Sequence, residues 1–215
     1  MRKNAKLVVF VLLAGAVVFA LPPLASAGVV KFDLNVAFSG DTPKGTYFAT
    51  FTDVETDQVR LKLESTNYGG PGGEFIQGGP NDGKGWYFNF RPNLGLTAAN
   101  ISQVSSPTAA AWEVDENKLK ADGDGYFDFR FYWTERFLSG STAEFLITRT
   151  GLTATDFLYW SLPSGGQGIY YSAAHIQGTD GPEGSGWVGA VPAPGAALLG
   201  ALGLGTIGVA RRRLS

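Results

Sequence analysis

The chain contains no cysteine, a single histidine (His175) and a single methionine. Without thiols there is no disulfide, no thiolate zinc site and no cysteine nucleophile. One imidazole limits acid-base or triad chemistry to one centre and leaves tetrahedral zinc short of its usual ligands. Charge is also sparse: 17% of the 215 residues are charged, against 44% hydrophobic. That balance is too apolar for a disordered polymer and predicts one globular domain. No long stretch between the ends repeats apolar residues at helical spacing, and no internal repeat is visible.

What is present is unevenly placed. Every acidic residue lies between Lys31 and Glu183, whereas Arg2, Lys3, Lys6, Arg211, Arg212 and Arg213 occupy the two ends. The body between them has 11 Lys plus Arg against 19 Asp plus Glu, a net charge of -8. Such a surface opposes nucleic acid and anionic lipid as partners.

Residues 1–27 read as a secretory signal peptide. A basic start precedes a 15-residue apolar run from Leu7 to Leu21, and Pro22-Pro23 lead to Ala25-Ser26-Ala27. The run is short for a bilayer span, and small residues at Ala25 and Ala27 suit a signal peptidase cutting before Gly28. The mature domain is thus expected to fold outside the cytoplasm.

Residues 190–215 mirror this layout with Val191-Pro192-Ala193-Pro194-Gly195, an uncharged run from Gly195 to Ala210, then Arg211-Arg212-Arg213. Sixteen helical residues reach about 24 Å, short of a hydrocarbon core of about 30 Å. The arginines would hold this end in the cytoplasm, and Ala197, Ala201 and Gly205 make a small-residue row for a second membrane helix. A transient transmembrane stay beside a processing partner fits these features better than lasting anchorage; an ordinary tail anchor is the alternative.

This order of Pro-containing motif, Gly/Ala/Leu-rich helix and terminal Arg cluster resembles the PEP-CTERM sorting signal of exopolysaccharide-producing bacteria, with Ala193 in place of the central Glu. The resemblance implies recognition by an exosortase-like membrane processing enzyme and transfer to the cell surface or extracellular matrix. The body also resembles an uncharacterised domain of such proteins in Ala174-His175-Ile176-Gln177-Gly178, Gly184-Ser185-Gly186-Trp187, Glu74-Phe75, Trp86-Tyr87-Phe88-Asn89 and the segment Asp122 to Asp128. That resemblance implies no catalytic residues.

Residues 28–189 predict an all-β, antiparallel sandwich or jelly roll. Gly and aromatic residues are abundant, and Val30, Phe32, Leu34, Val36 and Phe38 alternate with Lys31, Asp33, Asn35 and Ala37 as one half-buried strand does. Gly45 to Phe51 and Val59 to Leu63 predict a hairpin about Glu55-Thr56-Asp57. Further strands are expected at Gly85 to Phe90, with Trp86, Phe88 and Phe90 inward, and at Tyr126 to Trp133, Ala143 to Thr148, Phe157 to Trp160 and Ile169 to Ala173. Gly-rich clusters at 68–73, 78–83, 164–168 and 178–182 read as loops. Thr153 and Asp156 predict a short capped turn. Gly178 to Ala190 reads as the domain edge running into a linker, with the boundary near Trp187.

Few constellations carry chemistry. Asp122, Asp124 and Asp128 with Gly125 resemble part of a calcium loop, but Lys120 and Phe131 replace its first and last ligands, so a hairpin turn is the expected role and no metal or cofactor is assigned. His175 is expected to make a structural hydrogen bond near Gln177. Gly184-Ser185-Gly186 lacks the spacing of a nucleophile elbow. Glu113-Val114-Asp115 begins like the E-x-D-x-x-E pattern of jelly-roll glycanases, but residue 118 is Lys. Tyr126, Tyr132, Tyr159, Tyr170, Tyr171 and Trp187 could stack on sugar faces, although core packing is the commoner fate of such rings. The favoured reading is a non-enzymatic, structural or adhesive surface protein that contacts exopolysaccharide. A carbohydrate-binding module and a surface glycoside hydrolase with paired carboxylates are the alternatives.

Overall fold

The computed structural model describes residues 28–66, 73–122, 125–165, 168–180 and 184–191. Thirteen strands and two short 3-10 turns make up its regular structure. One sheet contains β1 (Val29–Asp33), β3 (Tyr47–Glu55), β4 (Gln58–Ser65), β7 (Ile101–Ser105) and β11 (Thr142–Thr148), in the spatial order β1-β3-β4-β11-β7. The larger sheet contains β2 (Val36–Gly40), β5 (Phe75–Ile76), β6 (Trp86–Phe88), β8 (Ala110–Ala121), β9 (Gly125–Trp133), β10 (Phe137–Leu138), β12 (Ser172–Gln177) and β13 (Ser185–Ala190). Its backbone order runs β2-β13-β12-β6-β9-β8, with β5 and β10 added at the far end of β12. Every pairing is antiparallel. The chain is therefore all-β, as the sequence predicts.

The two sheets bury one shared core, because alternate residues of each strand project to the same face. Phe51, Leu61, Leu63, Phe145 and Ile147 of the first sheet meet Trp86, Phe88, Phe129, Phe131 and Ile176 of the second. Ring contacts cross the interface at Phe51–Phe88 (5.4 Å), Phe131–Phe145 (4.1 Å) and Tyr47–Trp86 (6.3 Å). Each such side chain contributes roughly 1.5–3 kcal/mol on burial, which allows a cysteine-free domain to hold together. Both buried core indoles are satisfied: that of Trp86 donates to Ser172 Oγ at 3.0 Å, and that of Trp133 to Ser106 Oγ at 3.1 Å. Buried Glu74 accepts hydrogen bonds from Lys44 N (2.6 Å), Gly45 N (2.8 Å) and the Tyr47 hydroxyl (2.7 Å), tying the start of β3 to β5. Burial beside that carboxylate pushes the Tyr47 hydroxyl far above its ordinary pKa.

Several local expectations hold. The β3–β4 hairpin turns at Thr56 and Asp57, with Asp57 at φ 64°. Trp86, Phe88 and Phe90 are buried. Thr153 and Asp156 form a reciprocal capping box on the 3-10 turn Ala154–Phe157.

Others are corrected. The alternating run Val30 to Phe38 is two strands in different sheets: Val30, Phe32 and Leu34 face the shared core, while Val36 and Phe38 pack in a second cluster behind the larger sheet. Alternation persists across the crossing because each strand has one apolar face, so the pattern hides the break. Phe157 to Trp160 is not a strand: the 3-10 turn ends at Phe157, and Trp160 stacks on Tyr171 instead. The strand expected at Ile169 to Ala173 begins later, at Ser172. The stretch read as a domain edge contains β13, which lies between β12 and β2 with Trp187 buried.

Candidate functional site

The β8–β9 hairpin shapes the outer face of the larger sheet. Its register shifts between Val114 and Leu119, where Asn117 adopts φ 58°. Asp128 holds the distortion: its two oxygens accept from Asn117 N at 2.8 Å and Phe90 N at 2.9 Å. Past the bulge, Leu119, Ala121 and Phe127 join Tyr87, Ala173, Tyr170, Trp187 and Phe38 in a small apolar cluster on the outer face. Tyr170 stacks on Phe38 at 4.7 Å, and Gly189 leaves the room that ring needs, since a Cβ there would collide with it. The end of β8 thus lies against β2, where Ser39 Oγ donates to Asp122 Oδ2 at 2.8 Å.

The opposite wall is the loop from Gly78 to Gly85. Asp82 closes it by accepting from Gly79 N (2.7 Å) and Lys84 N (2.9 Å). Buried Arg130 clamps it from below, donating to the carbonyls of Lys84 (2.7 Å) and Gly79 (3.1 Å) and to Glu113 (2.9 Å), with a longer contact to Asp82 (3.4 Å). Its guanidinium also lies 4.9 Å from the centre of the Tyr132 ring. A planar, permanently charged fork is suited to this task, since it satisfies several acceptors at once.

Between these walls lies a cavity of about 460 Å³ lined by Asp82, Lys84, Lys120, Asp122, His175 and Trp187. A neighbouring depression of about 340 Å³ shares Asp82 and Lys84 and adds Gln77, Thr134 and Gln177. His175 forms part of the floor, with its ring 4.9 Å from that of Trp187. The hydrogen bond expected of it is not found: Nδ1 is buried and has no partner among the described residues. Burial, reinforced by the Lys84 charge and opposed by Asp122 and Asp82, lowers its pKa to about 4. At neutral pH the imidazole is therefore uncharged and too weakly basic for proton transfer near pH 7.

Lys84 and Lys120 have no carboxylate in ion-pair contact among the described residues; Lys120 lies 5.9 Å from the centre of the Tyr126 ring. The site thus combines two ammonium groups, two carboxylates (Asp82, held by loop N–H groups, and Asp122, held by Ser39), a neutral imidazole and an indole. That assembly suits recognition of a polar ligand better than acid-base turnover.

The remaining sequence candidates are dispersed. Ala25, Ala27, Pro192, Ala193, Pro194, Gly195, Arg211, Arg212 and Arg213 lie outside the described residues, as does the expected C-terminal helix. No helix among the described residues is long and apolar enough to cross a membrane. Gly28 donates its N–H to Asp53 Oδ2 at 3.0 Å, and Val191 is exposed where the described chain ends. Of the incomplete calcium pattern, Asp124 lies outside the described residues, while Asp128 is buried and committed to two backbone donors. Burial raises its pKa despite those bonds. No group of three or more His, Asp or Glu able to hold a metal occurs among the described residues. Glu113 pairs with Arg130, and Asp115 pairs with Lys118 at 2.7 Å, the very residue that interrupts the glycanase-like pattern. Ser185 lies within β13. Tyr132, Tyr170 and Trp187 are buried, Tyr126 and Tyr171 are half-buried and Tyr159 is exposed, so the six rings do not share one exposed row.

Asp82, Lys84 and Lys120 are not picked out as binding residues by the sequence, where Lys120 figures only as a break in the calcium pattern, because all three are distant from His175 along the chain. Comparison with known proteins finds no matching family model, no matching curated protein and no matching solved structure.

Proposed function

We propose that the protein is an exported component of the bacterial cell surface or extracellular matrix with a structural or adhesive role, delivered through a PEP-CTERM-like signal and an exosortase-like enzyme. One observation carries this reading: basic, apolar segments flank an acidic body of net charge -8 at both ends of the sequence. The all-β, cysteine-free architecture is compatible with it, because stability comes from aromatic packing independent of redox conditions. The sheet-to-sheet crossings fit a jelly-roll-like arrangement. The decisive experiment is mass spectrometry of the native protein's mature ends. A new N-terminus at Gly28 and loss of the residues beyond the Pro motif are expected. Converting Arg211, Arg212 and Arg213 together to Asp should block maturation, and unchanged processing and surface delivery in that variant would refute the sorting scheme.

A carbohydrate-binding role is the second reading, favoured by the outer-face cavity. Its two lysines, without an ion-pair partner among the described residues, match the carboxylates of an acidic polysaccharide, and Asp122 offers an acceptor for hydroxyl groups. A hydrolase would have Asp82 and Asp122 available there, but Asp82 is already engaged by two backbone N–H groups and Arg130. Calorimetry with a uronate-containing polysaccharide tests the binding reading. Changing Lys84 and Lys120 to Ala should weaken association about tenfold or more, roughly 1.4 kcal/mol, whereas equal affinity would exclude the cavity as the contact.

A further inference from the structure

The segment after the second 3-10 turn exposes several large apolar side chains. Leu158, Tyr159, Trp160, Leu162 and Ile169 are all between 36% and 48% exposed. They are held together rather than scattered. Ser161 N donates to the Tyr170 carbonyl (2.9 Å) and Tyr170 N to Ser161 Oγ (3.1 Å), joining the two segments that carry Leu162 and Ile169, and Leu162 is fixed in turn by a backbone bridge to Tyr126. Trp160 stacks on Tyr171 at 4.0 Å, and Tyr171 stacks on Phe32 at 5.5 Å, so the outer indole rests on a ring rooted in the core. No charged residue occurs from Phe157 to Ala174. Single exposed apolar side chains are ordinary, but a contiguous, uncharged aromatic-aliphatic patch marks a contact surface.

The course of the chain indicates what that contact is. Tyr171 N donates to the Ala190 carbonyl at 3.0 Å, so the described residues end at Val191 beside Tyr171, on which Trp160 stacks. The uncharged run begins at Gly195, four residues beyond Val191, and four residue steps span at most about 14 Å even when extended. A membrane-inserted tail would therefore hold this patch close to the lipid surface. The start of the mature chain is also nearby: Asp53 accepts hydrogen bonds from both Gly28 N and Ala154 N, the latter in the 3-10 turn that leads into the patch.

We infer that Leu158, Tyr159, Trp160, Leu162 and Ile169 form a membrane-apposed surface that rests in the interfacial layer of the bilayer while the C-terminal tail is inserted. Tyr and Trp favour that layer because an apolar ring carries a polar tip, and the rim arginine Arg91, paired with Asp156 at 2.7 Å, leaves no lone anion there to repel lipid phosphate. The body's negative charge elsewhere keeps other faces away from anionic headgroups, so the patch sets the orientation of the domain. This inference rests on the reading of the tail as a membrane segment.

The test uses the full chain in vesicles of phosphatidylethanolamine and phosphatidylglycerol that carry brominated acyl chains. Flotation reports tail insertion, and tryptophan quenching reports the patch. Trp160 is the exposed indole among the described residues, so the wild-type protein should float and show quenched emission, and Trp160→Phe, which preserves the ring stack, should float equally and lose most of that quenching. Flotation without quenching, or quenching unchanged in Trp160→Phe, overturns the apposed surface while the tail reading stands. Cross-linking of Leu162→Cys to a second copy in the floated sample would also overturn it, assigning the patch to self-association. A chain that fails to float overturns both.

Discussion

The two faces of the larger sheet are built to different standards. The inner face is a buried aromatic lattice in which Trp86, Phe88, Phe129 and Phe131 meet the opposing sheet, and the Trp86 indole is paired with Ser172. The outer face buries Arg130 and His175 among Tyr87, Phe127, Trp187 and Tyr170, beneath a rim of lysines and aspartates. Arg130 is fully committed, whereas His175 has a buried nitrogen without a partner among the described residues and a depressed pKa. Desolvating such groups opposes folding, and apolar residues of similar volume would avoid that penalty. The comparison separates a face that specifies the fold from a face that carries polar groups at a thermodynamic cost. The second is where a ligand has something to recognise.

Substitutions on the two faces should separate these roles. Phe131→Ala opens a cavity between the sheets, where the ring contacts Phe145, Phe88 and Trp112, and should cost about 4 kcal/mol in chemical denaturation. Arg130→Met should cost somewhat less, about 3 kcal/mol, by stranding Glu113 and two loop carbonyls. Its distinguishing mark is local: hydrogen exchange should quicken between Gly78 and Gly85 and leave β3, β4 and β11 protected. Uniform loss of protection in both variants would mean that the outer face is as much a part of the cooperative core as the inner one.

The sequence makes the first face legible and conceals the second. Periodicity identifies the β3–β4 hairpin, the inward trio Trp86, Phe88 and Phe90, and the capped turn at Thr153, because each depends on residues near in sequence. It fails at Asn35, where alternation continues across a change of sheet, and at β13, whose Gly-rich sequence resembles a linker. Gly186 is required there by the close approach of the Asp41 backbone, and Gly189 by the ring of Tyr170. β8 is obscured for a related reason, since its three extra residues before Leu119 interrupt the alternation. The cavity depends on residues 82, 84, 120, 122, 175 and 187 converging, and only topology reveals that. His175 attracts notice by being alone, but nothing local predicts that its Nδ1 would lack a partner among the described residues.

The smallest expected effect sharpens the contrast through pH. His175 has a folded-state pKa of about 4 against an unfolded value near 6.5, so between these values the unfolded chain binds the extra proton first. Stability should then fall as pH drops through that window, by about 2 kcal/mol from pH 7 to pH 5, and return as pH rises. Asp128 acts in the opposite sense, because its raised pKa makes the folded state the better proton acceptor above the ordinary carboxylate range. The wild-type curve alone mixes the two contributions. Subtracting the curve of His175→Gln isolates the imidazole, since Asp128 is common to both proteins and is bonded to Phe90 and Asn117 rather than to the cavity floor. A difference that grows steadily in favour of the variant below pH 6.5 indicates a buried, neutral imidazole. A flat difference would mean that water reaches the ring freely, and the outer face would then owe its burial to packing of the native state less tight than that of the inner core.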